Sequence, residues 1–410
     1  MKEYNTLDDF DVKNKTILLR VDFNLPLDKK TLNILDTTRI KLTIPTIKEL
    51  IEKKAKVVIL AHQGRKGDWD FTSLANHAKS LQKILKKPVT FVEDIFGKKA
   101  QNAIQAMRQG DVVMLDNVRK FKGETEKKSA EEHSKSPLVQ NLAPLAELFV
   151  NDAFSAAHRA QCSLIGFTVV LPSCAGRLME KELNLLGRML KTPEKPCIFL
   201  FGGTKFSDIV VTIDRVLSNK TADKVLLTGL PAHAFLKSKG YSLGIKNEEL
   251  LMREGSPRQF IEMEKIIKKY KNKIFLPIDF AIAQSGKRKE IDLDVLPCEE
   301  YLSDIGEKTI YQFKHMLTNA KTIFFSGPCG VFENKLFRKG TREIFITIAE
   351  SGSFSIAGGG HTIAAIDQLK IQNKISHISS GGGSLEKFIM GENLVVVEAL
   401  KNAKDRIFIE

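Results

Sequence analysis

The sequence is short of the residues and patterns that mark several common protein classes. Its 410 residues hold five cysteines (Cys162, Cys174, Cys197, Cys298 and Cys329), with no C-x-x-C pair and no histidine at metal-ligand spacing. That argues against a disulfide framework or a zinc site and suits reduced, mostly buried thiols. No apolar run approaches the ~18 to 20 residues of a membrane span, and the opening MKEYNTLDDF lacks the apolar stretch of a secretion signal. A cytoplasmic protein without a membrane partner is expected. There is no G-x-x-x-x-G-K-[ST] loop, no protein-kinase glycine loop and no G-x-G-x-x-G fingerprint, which removes the commonest NTPase and dehydrogenase plans. A single Trp and five Tyr leave little for base stacking. The net charge of +14 and pI of about 9.3 therefore fit acidic small-molecule substrates better than nucleic acid.

What is present is ordinary globular composition, 43% hydrophobic and 27% charged, on a chain long enough for two cores. Short β-branched or apolar runs alternate with amphipathic stretches, the pattern of βαβ units and a parallel sheet. The first-half runs are Ile17 to Val21, Val57 to Ala61, Val112 to Leu115 and Leu148 to Val150. In the second half they are Ile198 to Phe201, Val225 to Thr228, Ile274 to Pro277, Thr322 to Phe325, Phe354 to Ile356 and Ser376 to Ser379. Helical spacing of apolar residues predicts helices over Arg39 to Lys54 and Gly176 to Lys191. Pro172 and Gly176 place a domain join just before the second of these. The basic stretches around Lys268 to Lys273 and Lys287 to Lys289 read as solvated faces or loops.

In parallel α/β sheets ligands bind beyond the carboxyl ends of strands, so the residues there carry the functional signal. In the first half those ends read Asp22-Phe23-Asn24, His62-Gln63-Gly64-Arg65, Asp116-Asn117-Val118-Arg119 and Asn151-Asp152 through His158-Arg159. Arg39, at the start of the first helix, can face the same crevice. Arg39, Arg65, Arg119 and Arg159 gathered with His62 would repel one another unless a highly charged anion lay between them. Guanidinium forks match phosphate and carboxylate oxygens, so a small phosphorylated acid is expected, with Asp22 and Asn24 on its hydroxyls. In the second half the ends are glycine-rich: Gly202-Gly203-Thr204-Lys205, Gly229-Leu230, Gly327-Pro328-Cys329-Gly330, Gly358 to Thr362 and Gly381-Gly382-Gly383-Ser384. Backbone N–H groups at a loop leading into a helix bind phosphate, which predicts a nucleotide site.

These residues are where the chain resembles phosphoglycerate kinase, along essentially its whole length. Leu19 to Asn24, Thr38-Arg39-Ile40, His62 to Arg65, Asn117 to Arg119 and Asp152-Ala153-Phe154 with His158-Arg159 resemble the family's acid-binding motifs. Ala175 to Leu183, Gly202 to Asp208, Ser326 to Glu333, Gly358 to Thr362 and Ser380 to Ser384 resemble its linking-helix and nucleotide motifs, in the same order. The resemblance implies two doubly wound, Rossmann-like parallel-sheet domains joined by a linking helix and hinge. The first would span 1–175 with a returning tail 391–410 and bind phosphoglycerate; the second would span 176–390, with the linking helix at 176–191, and bind nucleotide.

It further implies substrate contacts from Asp22, Phe23, Asn24, Arg39, His62, Gln63, Gly64, Arg65, Arg119 and Arg159. Nucleotide contacts are implied from Lys205, Gly327, Pro328, Glu333 (on the ribose), Gly359, Gly360, His361 and Thr362. Arg39, Lys205 and the amides near Gly360 and Gly382 would stabilise the transferring phosphoryl group, with Mg²⁺ carried on ATP or ADP rather than held by protein ligands. The expected reaction is reversible transfer from 1,3-bisphosphoglycerate to ADP by a monomer or homodimer. Departures from the commonest family pattern at Ile209 (Lys), His361 (a metal-linked Asp), Ser326 (Asn) and Gly229-Leu230-Pro231 (Gly-Gly-Met) mark a subgroup, and Gly-Gly-Gly-His-Thr resembles the archaeal-type branch. A family member that binds these ligands without catalysing transfer is the alternative.

Overall fold

The computed structural model of the chain describes residues 3–206 and 208–406. The chain divides into two compact units, one built from the chain up to Asn184 together with the segment from Glu392 onward, the other from Leu185–Gly391. The division falls inside a helix, Arg177–Lys191.

In the first unit six strands form one parallel sheet: β1 (Thr16–Arg20), β2 (Lys56–Leu60), β3 (Thr90–Val92), β4 (Val112–Leu115), β5 (Leu148–Asn151) and β6 (Ser173–Ala175). Their order is β3-β4-β2-β1-β5-β6, and every pairing is parallel. Crossovers require helices on both faces, so the interior of a central strand is continuously apolar rather than alternating. β1 shows this directly: Ile17 and Leu19 pack with Ile40, Ile47 and Leu50 of the helix Thr38–Glu52 on one face. Leu18 packs with Leu138, Phe149 and Phe167 on the other. From β1 the chain winds outward through β2 in one direction and returns to place β5 on the opposite side. The topological switch point, where a crevice opens beyond the strand ends, therefore lies between β1 and β5. The helix Val395–Lys404 belongs to this unit, with the Val396 amide donating to the Ala157 carbonyl at 3.0 Å.

The second unit holds β7 (Cys197–Phe201), β8 (Lys224–Leu227), β9 (Ile274–Phe275), β10 (Asp279–Gln284), β11 (Lys287–Asp292), β12 (Asp304–Ile305), β13 (Thr322–Ser326), β14 (Phe354–Gly358) and β15 (His377–Ile378). Six of them make a second parallel sheet, β15-β14-β13-β7-β8-β9, whose switch point lies between β7 and β13. The doubly wound α/β class is thus correct for both units. The remaining three form a small sheet, β11-β10-β12, with antiparallel pairing. That sheet corrects one reading: Lys287 to Lys289 is neither a helix face nor a loop but the first half of β11. The Arg288 side chain is only 14% exposed and is ion-paired with Asp304 at 2.8 Å and Glu290 at 2.9 Å. Period-2 alternation of charge with partly covered positions is what an edge strand looks like, and a run of basic residues hides it.

Candidate active site

Beyond the β1/β5 switch point the side chains are organised around Asp22. One carboxylate oxygen accepts from the Asn24 amide at 2.9 Å, and the other accepts from Arg39 at 2.5 Å and from the Ser155 hydroxyl. His62 Nε2 lies 3.8 Å from the first oxygen. Burial alone would raise the Asp22 carboxyl. Arg39 and the hydrogen bonds from Ser155 and Asn24 instead hold it well below the usual range. Arg119 is buried, its guanidinium donates to the Gly64 carbonyl, and its Nε has no partner among the described residues. Burial, then the charges of Arg159 and Arg20, bring it down to about 10. His62 is pushed well below its ordinary value by burial and by Arg20, Arg119 and Arg159, against the pull of Asp22. Arg159 also borders an open cavity of about 480 Å³ with Lys127, Lys128 and His158. Arg39 thus pairs with Asp22, while Arg20, Arg119 and Arg159 crowd one another and His62.

The other expected residues fall into two groups. Arg65 is exposed on the loop that Gly64 turns at φ +65°, where a Cβ would sit 2.5 Å from the Asp70 carbonyl. Asn24 Oδ1 accepts from the Gly64 amide at 2.9 Å, so Asn24 also ties β1 to that loop. Phe23 and Gln63 are fully buried, and Gln63 bonds the Leu25 amide (2.8 Å) and carbonyl (3.1 Å). A ligand can meet only their backbone. The acid–amide pairs of the strand ends are likewise scaffold. Asn117 donates to the Gln63 carbonyl at 2.7 Å and the Thr72 carbonyl at 2.9 Å. Asp152 accepts from Thr46 at 2.6 Å and from the Met179 amide at 3.0 Å, anchoring the start of the Arg177–Lys191 helix.

Sequence reasoning passed over Arg20 and Ser155. Arg20 stood inside the quoted Leu19 to Asn24 motif, but a charge at the end of an apolar strand gives no sign of partners more than a hundred residues away.

In the second unit the loops after β7 and β13 press backbone against backbone. The Gly202 amide donates to the Ser326 carbonyl at 2.8 Å and the Gly203 amide to the Pro328 carbonyl at 2.7 Å. The Gly327 amide donates to Thr362 Oγ1 at 2.7 Å. These amides are therefore spent on joining loops. The amides left for a phosphate are the first-turn N–H groups of the helices Gly360–Leu369 and Gly382–Met390, which precede the first intrahelical bonds. Both helix starts line a pocket of about 220 Å³ with Lys205, Pro328, Asp208, Glu386 and Ile209. Glu386 is raised by burial, against the pull of Lys205.

A second pocket, about 420 Å³ and largely apolar, shares Gly203, Thr204, Pro328 and His361 with the first. Leu230, Leu250, Tyr301 and Val331 line it, and so does Glu333, whose carboxylate is 3.9 Å from His361 Nδ1. A polar, amide-edged pocket that continues into an apolar one matches the two ends of a nucleotide. Gly382 and Gly359 through Thr362 are brought together with Lys205 as expected. The apolar residues from Leu250, Tyr301 and Val331 carried no sequence signal.

Comparison with known proteins gives a consistent result. The family model described as phosphoglycerate kinase matches residues 7–392. The phosphoglycerate kinase of Methanothermus fervidus is 44% identical over 99% of both chains, and that of Thermoplasma acidophilum is 39% identical over 98% of this chain and 99% of its own. Among solved structures, phosphoglycerate kinase from Pyrococcus horikoshii is 40% identical with a TM-score of 0.89, covering 98% of this chain and 100% of its own. That from Coxiella burnetii is 31% identical with a TM-score of 0.84 over the same shares.

Proposed function

Because the chain belongs to the phosphoglycerate kinase family, and so transfers a phosphoryl group reversibly between 1,3-bisphosphoglycerate and ADP, we propose that its two switch-point sites divide the reactants. The acid binds at the β1/β5 crevice, where Arg39, Arg119, Arg159 and His62 face the phosphate and carboxyl oxygens and Asp22 and Asn24 take the hydroxyl. Arg65 joins them from its exposed loop. The nucleotide binds in the second unit, its phosphates at Lys205 and the Gly360 and Gly382 helix starts, its base in the apolar pocket, and its ribose at Glu333. The observation that carries this reading is the crowding of Arg119 and Arg159 with Arg20 about His62, beside the Arg39–Asp22 pair, which an anion of high charge would relieve.

In the ATP-forming direction a terminal phosphate oxygen of ADP attacks the acyl phosphorus. The acyl C–O–P bond breaks on the carboxyl side of phosphorus, and the carboxylate leaves already ionised. In reverse that carboxylate is the nucleophile. Neither direction needs a general base at neutral pH, which explains a site without a Ser-His-Asp arrangement or a paired acid. What the chain supplies is in-line positioning and positive charge on the equatorial oxygens, from Arg39 on one side and Lys205 with the helix-start amides on the other. The two ligands must therefore be brought together during turnover.

Among the described residues no group of three or more His, Cys, Asp or Glu could hold a metal ion. Asp208 and Glu386, the carboxylates lining the phosphate pocket, are the residues that would hold a nucleotide-borne Mg²⁺. When bound, the ion would neutralise phosphate charge. Five free cysteines support a reducing, cytoplasmic setting.

The test is a coupled assay of the purified chain with ADP, Mg²⁺ and 1,3-bisphosphoglycerate. Arg39→Ala and Lys205→Ala should fold normally and lose ~10² to 10³ in turnover each. Full activity in either variant would remove that residue from the phosphoryl path, and no activity in the unsubstituted chain would favour the non-catalytic alternative.

A further inference from the structure

Arg20 is the last residue of β1, at the centre of the first unit's sheet, and it is 0% exposed. Nothing in the sequence motifs gave it a task, yet each of its three guanidinium nitrogens has a partner. Nε donates to Ser163 Oγ at 2.8 Å, one terminal nitrogen donates to the Val21 carbonyl, and the other lies 3.1 Å from His62 Nδ1. Ser163 continues the chain of bonds, donating its hydroxyl to Glu124 at 2.6 Å and its amide to the other carboxylate oxygen at 2.8 Å. Glu124 is also 0% exposed.

The direction of each bond follows from chemistry. A guanidinium has only donors. His62 Nδ1 facing it must therefore present a lone pair, and the ring's proton must sit on Nε2, the edge that points toward Asp22 and the crevice. A second proton on the ring would set an N–H against a guanidinium N–H in a buried site, with nothing to accept either.

We propose that Arg20 is the positioning residue for His62: the 3.1 Å contact, backed by Ser163 and Glu124, fixes the imidazole as the neutral Nε2–H form, so it offers the acid a directed donor rather than a charge. This rests on the reading that the acid binds in the β1/β5 crevice. The charged groups facing the ring are Asp22 on the favourable side and Arg20, Arg119 and Arg159 on the unfavourable side, with Arg39 engaged on Asp22. The arginines outnumber the carboxylate, so the ring stays neutral through the range where a free histidine titrates.

Two measurements on the full chain test this. In ¹⁵N-labelled enzyme, the His62 ring nitrogens should report the neutral Nε2–H tautomer unchanged from pH 5.5 to 8. Added 3-phosphoglycerate should shift Nε2; no shift would sink the crevice reading itself, independently of the tautomer. The second measurement compares KM for the acid in wild type and in Arg20→Met with Glu124→Gln, a pair that removes both buried charges and so avoids orphaning one. Taking the ratio of the two KM values cancels the substrate's own ionisation. The ratio should rise with pH, roughly tenfold from pH 5.5 to 8, as the freed ring loses a proton, while KM for ADP stays put. A wild-type ring that is protonated or carries Nδ1–H, or a KM ratio that does not vary with pH, overturns the proposal. Should the paired variant fail to fold, the wild-type spectrum still decides.

Discussion

Gly327→Ala is the most informative single substitution for the proposed nucleotide site. Gly327 sits at φ +87°, and a Cβ there would lie 2.2 Å from both the carbonyl carbon and the oxygen of Gly202 and 2.6 Å from the Gly203 nitrogen. All three obstacles are backbone, so no side chain can swing away. The loops after β7 and β13 must separate by about 1 Å to restore ordinary contact. Holding an alanine at positive φ costs ~1 to 3 kcal/mol. Separation also stretches the bonds from Gly202 to Ser326, Gly203 to Pro328 and Gly327 to Thr362, each worth ~1 kcal/mol net. A local loss on the order of 3 to 5 kcal/mol results, which moves the Gly360 helix start through Thr362. ADP affinity should fall by about 10² or more, at ~1.4 kcal/mol per decade, while 3-phosphoglycerate binding, proposed for the other unit, should be unchanged. Calorimetric titration of each ligand separately reads both. ADP binding within threefold of wild type would show that loop apposition does not shape the site. Gly187→Ala serves as the control: it lies in the helix Arg177–Lys191 with nothing within 4 Å of the added Cβ. It should gain ~0.5 to 1 kcal/mol of stability and leave ADP binding alone.

Other consequences follow from buried polar groups. Burial holds the Asp152 carboxyl up at about 6 in the folded chain, so between pH 4 and 6 the folded state keeps a proton that the unfolded state has released. Stability should therefore fall as pH rises through that window, by about 3 kcal/mol at 1.36 kcal/mol per unit. Denaturant titrations should show this slope in wild type relative to Asp152→Asn, and parallel pH profiles would refute it. His233 is 4% exposed, lines the apolar pocket, and packs edge-on against Phe280 at 5.2 Å, with its Nδ1 unpartnered among the described residues. Burial brings its pKa down to about 4, so the ring is neutral at pH 7. His233→Phe removes the unpaired nitrogen and should raise stability by ~1 kcal/mol. An unchanged or lower melting temperature would mean that the ring has a partner in solution.

Much of this molecule is legible in one dimension. The alternation of apolar runs and amphipathic stretches determines a doubly wound α/β chain, because parallel strands buried on both faces read as short, nearly continuous apolar runs. Asp22, His62 and Arg119 lie beyond the strand ends of the first unit's sheet, and the Gly360 helix start lies beyond those of the second. Strands of three residues such as Thr90–Val92 and Ser173–Ala175 escaped notice, since so few residues carry no period, and the edge strand Lys287–Asp292 was masked by its charge.

What only tertiary structure decided is which polar residues gather beyond the strand ends and which tie the scaffold together. Asp22 and Asp152 both follow apolar strands, yet one is encircled by Arg39, Ser155 and His62 and the other is buried against Thr46 and Met179. Arg20, with Ser163 and Glu124, is the sharpest case. A buried charge is tolerable only if remote segments bring it acceptors, and a sequence records the charge without recording which segments arrive.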